Sequence, residues 1–346
     1  MKTSDMILVG VLSLLIISVA NFTLITNKYL DSSNSNNPAS ITLTLLKSNC
    51  DKCEILGDFI SQIKGSNVKV KTENSEDFGS LASKNYISKY GIKKLPAIIV
   101  KGKTDQLNLT GFTKKNDALV LETPTAPYFD VASESVVGKV NIINIKATSC
   151  TDCSDLGVAI NFLDQNGVYV ENTQNVEYED ASNYISQYGI ENVPAIVIVG
   201  DMTSYGAVYQ TLQKVSKESD GYMVIQPAAP YLELSNNKIR GLVDITYLND
   251  SSCTDCYDVK IHDGALSNLG IFIKNKSTYD IASLQGSALV EKYNITDIPT
   301  IILTGDLEAY NGFDQVWSSV GTVESDGAYI FRQMDQLGGA KSKHLE

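Results

Sequence analysis

Three short stretches decide how this chain reads: Cys50-Asp-Lys-Cys53, Cys150-Thr-Asp-Cys153 and Cys253-Thr-Asp-Cys256. They hold all six cysteines of the 346 residues and stand 100 and then 103 residues apart. That interval is the length of a small domain, and self-similarity at a fixed period points to a tandem architecture. A unit of about 100 residues buries an adequate core without additional crosslinks.

The same landmarks surround each pair. A β-rich run precedes it: Ile41–Leu46, Val140–Ile145 and Val243–Leu248. Near-continuous β-branched residues of this kind suit an internal strand. The cysteines are expected to open a helix of about three turns. A second strand is expected to start eighteen residues after each first cysteine, at Val68, Val168 and Ile271. A second helix then ends at Gly91, Gly189 or Asn294, the residue types that tolerate the left-handed conformation closing a helix. Five residues later comes a proline, Pro96, Pro194 or Pro299, followed directly by an apolar strand. Proline at the head of a strand removes no ladder bond. Gly102, Gly200 and Gly305, six residues past each proline, read as hairpin turns. Repeats two and three share an Glu-Ser-Asp-Gly turn, at Glu218–Gly221 and Glu324–Gly327. The first two repeats close with Ala-Pro-Tyr, at Ala126–Tyr128 and Ala229–Tyr231.

These landmarks divide the chain into an N-terminal segment 1–30, a polar linker 31–40, and three domains at 41–131, 139–234 and 242–336. A tail at 337–346 is expected to fray. The fold class is α/β, each domain a mixed central sheet flanked by helices.

The order of strand, CxxC, helix, strand, helix and proline-led strand resembles the thioredoxin superfamily. The separation of first cysteine from proline, 46, 44 and 46 residues, is similar to that family's spacing. Three copies in tandem resemble the layout of protein disulfide isomerases. The resemblance implies thiol–disulfide exchange on protein or peptide substrates, with an unidentified redox partner and no cofactor. Cys50, Cys150 and Cys253 would be the attacking thiols, and Cys53, Cys153 and Cys256 the resolving ones. Pro96, Pro194 and Pro299 would be cis. With Leu95, Val193 and Ile298 before them, they would form the loop that holds an extended substrate. A cysteine at a helix start has its thiolate stabilised by unpaired N–H groups and the helix dipole.

The chain also departs from the family. Thioredoxins proper keep a buried aspartate six residues before the first cysteine, where this chain has Thr44, Asn144 and Tyr247. Asp152 and Asp255 inside the motifs oppose thiolate formation, whereas Lys52 offsets Asp51. Cys50 is therefore expected to have the lowest thiol pKa and the most oxidising disulfide. The alternative is a non-catalytic scaffold or peptide-binding protein whose CxxC pairs are structural disulfides. A metal site is not expected, since two thiolates per repeat fall short of a four-ligand zinc centre.

Charge and composition narrow the partners. A net charge of −12 argues against a nucleic-acid surface. Only two histidines occur, which excludes histidine catalysis at three equivalent sites; His262 reads as a partly exposed surface or packing residue. Trp317 reads as a packing residue on a late strand of repeat three. From Met6 to Asn27 there are 22 residues without a charge. They read as a helical membrane anchor or as a cleaved signal peptide, and either places the repeats outside the cytoplasm, where disulfides persist.

Overall fold

The computed structural model describes residues 38–53, 56–105 and 107–345. The expected anchor or signal peptide, and most of the polar linker, lie outside the described residues. Among those described, no helix is long and apolar enough to cross a membrane. The chain forms two compact units, one running to Thr123 with Phe129–Ser133, the other built from Pro124–Tyr128 and Glu134–Glu346.

Repeat one runs β1 (Ala39–Lys47), α1 (Gly57–Gly65), β2 (Val68–Asp77), α2 (Leu81–Tyr90), β3 (Lys94–Leu95), β4 (Ala97–Gly102), β5 (Thr113–Lys115), β6 (Ala118–Glu122), β7 (Tyr128–Asp130) and β8 (Ser135–Val137). Repeat two follows with β9 (Lys139–Lys146), α3 (Gly157–Gln165), β10 (Tyr169–Glu177), α4 (Ser182–Tyr188), β11 (Asn192–Val193), β12 (Ala195–Gly200), α5 (Ala207–Gln213), β13 (Ser216–Ser219), β14 (Tyr222–Ile225), β15 (Tyr231–Glu233) and β16 (Lys238–Arg240). Repeat three comprises β17 (Val243–Asn249), α6 (Ile261–Asn268), β18 (Ile273–Asp280), α7 (Leu284–Lys292), β19 (Asp297–Ile298), β20 (Thr300–Gly305), α8 (Phe313–Trp317), β21 (Gly321–Val323), β22 (Tyr329–Phe331) and β23 (Lys343–His344).

Each repeat builds one five-stranded mixed sheet, in the orders β2-β1-β4-β6-β5, β10-β9-β12-β14-β13 and β18-β17-β20-β22-β21. The strand before the cysteines pairs parallel with the next strand and antiparallel with the proline-led one. Period-two alternation then sends neighbouring side chains to opposite faces. In repeat two, Ile196 and Ile198 pack on Leu163 of α3 on one face, while Ala195 and Val197 meet Tyr184 and Ile185 of α4 on the other. Repeat three divides the same way, Ile301 and Leu303 toward Leu266 of α6, and Ile302 toward Leu289 and Val290 of α7. A strand covered on both faces has to be apolar throughout, and β4, β12 and β20 are buried over their first four residues.

The second helix of each repeat closes as the sequence requires, with φ of 57° at Gly91, 60° at Gly189 and 45° at Asn294. Other expectations need correction. The second strands of repeats two and three begin at Tyr169 and Ile273, slightly later than read. Gly102, Gly200 and Gly305 end their strands but do not make tight hairpins. A longer connector follows each, and it carries α5 in repeat two and α8 in repeat three. Trp317 lies at the end of α8, not on a strand; only 4% exposed, it packs against Phe313 and Tyr329. A hydrogen bond from its indole N–H to the Thr322 carbonyl, 3.1 Å, satisfies its one polar atom. The tail is ordered, with β23 paired to β19.

Candidate functional site

The first strand of each repeat delivers the chain to its cysteine pair. β1, β9 and β17 end three or four residues before Cys50, Cys150 and Cys253. Each pair is a disulfide, with Cα atoms 5.3, 5.4 and 5.5 Å apart, and no cysteine is free among the described residues. In repeats one and two the second cysteine's N–H donates to the first cysteine's carbonyl at 3.3 Å, closing a turn. The helix does not start there. It begins four residues past Cys53 and Cys153, and five past Cys256. The dipole effect falls away within the first turn, so these cysteines do not open the helix as expected and gain little from its dipole. Cys150 and Cys53 are buried, at 8% and 7% exposure; Cys50, Cys153, Cys253 and Cys256 are partly exposed.

The three prolines are cis, at Leu95-Pro96, Val193-Pro194 and Ile298-Pro299. Two more cis bonds, Ala126-Pro127 and Ala229-Pro230, fall in the Ala-Pro-Tyr segments, where the sequence carried no sign of them. In repeat two, Cys150, Cys153 and Pro194 line one cavity of about 220 Å³ together with Asn144, Ser154 and Leu156. In repeat three, Tyr257, directly after Cys256, donates its hydroxyl to the Pro299 carbonyl at 2.7 Å.

The two residues before each proline form a short strand, and each is already paired. β3 pairs with β7, β11 with β15, and β19 with β23, all antiparallel. Beside the cysteines a second backbone contact recurs. Ser154 N–H donates to the Pro230 carbonyl at 2.8 Å, and Tyr257 N–H to the Lys341 carbonyl at 3.0 Å.

The electrostatics differ from those expected. Asp152 meets Lys274 of β18 at 2.7 Å, and Asp255 meets Lys341 of the tail at 2.9 Å. Lys341 holds the Asp255 carboxyl below its usual range. Lys343 reaches the buried carboxylate of Asp250 at 2.5 Å and, with Ser252, holds it at about 2. The aspartates inside the motifs of repeats two and three are thus each met by a lysine, so a cation beside the motif is not particular to repeat one, as the sequence had it through Lys52.

The positions six residues before the first cysteines hold three different arrangements. The Thr44 hydroxyl is buried without a hydrogen-bond partner. Asn144 donates its amide to Asn175 at 2.9 Å. Tyr247 donates its hydroxyl to Asp263, which also takes Lys276 at 2.7 Å. Burial works against ionisation of Asp263, but its hydrogen bonds with Lys276 and Tyr247 keep the carboxyl below its ordinary range. Nearby His262 is 6% exposed rather than partly exposed. Its Nε2 lies 3.1 Å from the Tyr257 hydroxyl and its ring 4.5 Å from that of Phe331. Burial pushes it down to about 4.

No protein-family model matches the chain, and no curated protein matches it. Among solved structures it is similar to the zinc-bound form of human ERp44, at 12% identity over 81% of this chain and 86% of that one, with a TM-score of 0.15. A crystal structure of human ERp44 aligns at 12% identity over 90% and 96%, TM-score 0.16. ERdj5 form II aligns at 10% identity over 92% of this chain and 41% of its own length, TM-score 0.15. At these values the fold rests on the topology itself: a central strand parallel to the second and antiparallel to a cis-proline-led third, with a CxxC disulfide after the first. The described residues form a tandem of three repeats with thioredoxin-like topology.

Proposed function

We propose that the chain carries out thiol–disulfide exchange on protein substrates through its three CxxC dithiols. The observation that carries this reading is the cavity of repeat two, which Cys150, Cys153 and the cis-proline Pro194 all line. In the reducing direction, the thiolate of the first cysteine attacks a substrate disulfide. A mixed disulfide forms and one substrate thiolate leaves. The second cysteine's thiolate then attacks the first cysteine's sulfur, the CxxC disulfide closes, and the second substrate thiolate departs. Two electrons pass to the substrate, and a thiol couple such as glutathione or a redox partner restores the dithiol. Oxidation of a substrate runs the same steps backward.

The attacking groups are Cys50, Cys150 and Cys253, the resolving groups Cys53, Cys153 and Cys256. The loops Leu95-Pro96, Val193-Pro194 and Ile298-Pro299 face the substrate. The three repeats act as separate domains over 41–131, 139–234 and 242–336. They work outside the cytoplasm, held to the membrane by the N-terminal segment or released when it is cleaved. The uncharged run Met6–Asn27 and the pairing of all six cysteines support that location.

A second reading has its own support. In every repeat the strand before the proline is already paired with a strand of the chain itself. That favours a scaffold whose disulfides are structural. An insulin-reduction assay with glutathione as electron donor separates the two. The exchange reading expects turnover above the glutathione background, a partial loss in each of Cys50→Ser, Cys150→Ser and Cys253→Ser, and background rate in the triple variant. Background rate in the unmodified protein would overturn it.

A further inference from the structure

The tail of repeat three lies along the strand before Pro299 and beside the residues that flank the dithiol. Its backbone pairs His344 with Asp297 and Lys343 with Ile298, and Leu345 N–H donates to the Thr296 carbonyl at 2.7 Å. Its side chains read the surface beneath them. Lys341 meets Asp255 at 2.9 Å, Lys343 meets Asp250 at 2.5 Å, and His344 Nδ1 lies 3.0 Å from Asp297. Leu345 packs on the apolar cluster that holds Tyr293 and Ile298. Alternate residues of an extended strand point the same way, so Lys341 and Lys343 both reach the rim of the dithiol. The Lys341 carbonyl, in turn, takes the N–H of Tyr257, next to Cys256.

The three acids are not demanded by the fold. At the same distances from cysteine and proline, repeat two has Ala147, Asp152 and Asn192, and repeat one has Lys47, Lys52 and Lys94. Repeat one therefore keeps the same topology with the opposite sign at all three positions. In repeats one and three the strand lying on that edge carries the complement, whereas in repeat two Glu233 of β15 stands opposite the neutral Asn192. Asp130 of β7 stands opposite Lys94 where His344 of β23 stands opposite Asp297. Charge at these positions varies with what lies on the edge, as in a recognition surface that selects by electrostatic complementarity.

We infer that Asp250, Asp255 and Asp297 form a specificity rim selecting extended basic peptides of the pattern Lys-x-Lys-x-Leu at repeat three, and that residues 341–345 are its resident intramolecular occupant. This rests on the proposal that the Ile298-Pro299 loop faces the substrate, and adds that substrate pairs there by strand addition. A tethered occupant acts at an effective concentration in the millimolar range for a short linker, so an outside peptide has to displace it. Peptides lacking the paired basic residues leave Asp250, which is 8% exposed, buried without its cation.

The test uses the full chain and a fluorescent peptide of sequence Gly-Gly-Ala-Lys-Ser-Lys-His-Leu. Its control is the same peptide with both lysines replaced by glutamate. The variant K341E/K343E sets like charge against Asp255 and Asp250 and releases the tail. We expect this variant to bind the basic peptide at least tenfold more tightly than the unmodified chain, to ignore the acidic control, and to lose binding when D250N/D255N are added. Amide exchange at Tyr257 and Leu345 reads the same event without added peptide: slow in the unmodified chain and fast in the variant. Equal binding of both peptides, no binding by the released variant, or fast exchange at Leu345 in the unmodified chain would each overturn the assignment. Binding needs no sulfur chemistry. A protein inactive toward insulin yet selective for the basic peptide would defeat the exchange reading and leave this one standing; the reverse pattern would do the opposite.

Discussion

Asp152 and Asp255 sit between their cysteines and by themselves disfavour a neighbouring thiolate. Each is met by a lysine from far along the chain, Lys274 at a separation of 122 residues and Lys341 at 86. Repeat one needs no distant partner, because Lys52 lies inside its own motif. A cation beside the aspartate of each motif is thus supplied in three ways. For repeat two it comes from a strand of repeat three, which couples the two repeats. Removing Lys274 leaves Asp152 uncompensated, and the dithiol form loses stabilisation. An exposed pair of this kind contributes about 0.2–1 kcal/mol, so K274A should make the repeat-two disulfide more reducing by at most about 20 mV. Adding D152N should return most of the shift. Equilibration with glutathione, read by alkylation and mass spectrometry of the Cys150–Cys153 peptide, measures it; unchanged potentials in both variants would deny Lys274 this role. These pairings were not legible in the sequence because no local pattern joins residues so far apart. The left-handed positions Gly91, Gly189 and Asn294 were legible because the constraint is set by one residue's own backbone.

The internal first strands and the proline-led strands followed from apolar runs and from where glycine and proline stand, whereas the mixed sheet came only with the family resemblance and its strand order only with the structure. Helix starts did not follow. The interval between each cysteine pair and the next strand suits a three-turn helix opened by the cysteines, yet α1, α3 and α6 begin a turn later. Helix boundaries depend on capping as well as periodicity, and α1, α3 and α6 have no side-chain cap to mark the start. α6 carries a separate consequence. His262 is buried between Tyr257 and Phe331 and titrates at about 4 when folded, against about 6.5 in an unfolded chain. Its folded pKa is depressed, so between these values the unfolded state binds the extra proton and stability rises with pH. The contribution is complete above about pH 6.5 and is lost as pH falls through 4. Urea unfolding followed by Trp317 fluorescence should show that slope, and H262Q should flatten it. An undiminished slope in H262Q would assign it to other groups.

Across the chain, one unit is used three times with its surroundings changed. Topology, disulfide and cis-proline recur, while the position six residues before the first cysteine is a buried threonine, a partly exposed asparagine or a buried tyrosine. The rim before and within the motif runs from basic in repeat one to acidic in repeat three. Repetition made the threefold recurrence of the unit legible from spacing, while the unit's architecture was implied by the family resemblance. The strands that cover the proline edges stayed hidden, because β7, β15 and β23 are only two or three residues long and their pairing depends on the tertiary fold. The central claim is that the three disulfides exchange rather than brace. It is tested most directly by equilibrating the full chain over a series of glutathione ratios, quenching with acid, alkylating, and resolving each cysteine pair by mass. The account predicts that all three pairs pass between disulfide and dithiol with midpoints above about −300 mV, the level below which structural disulfides resist the glutathione pool. Pairs that stay oxidised at every ratio would contradict it.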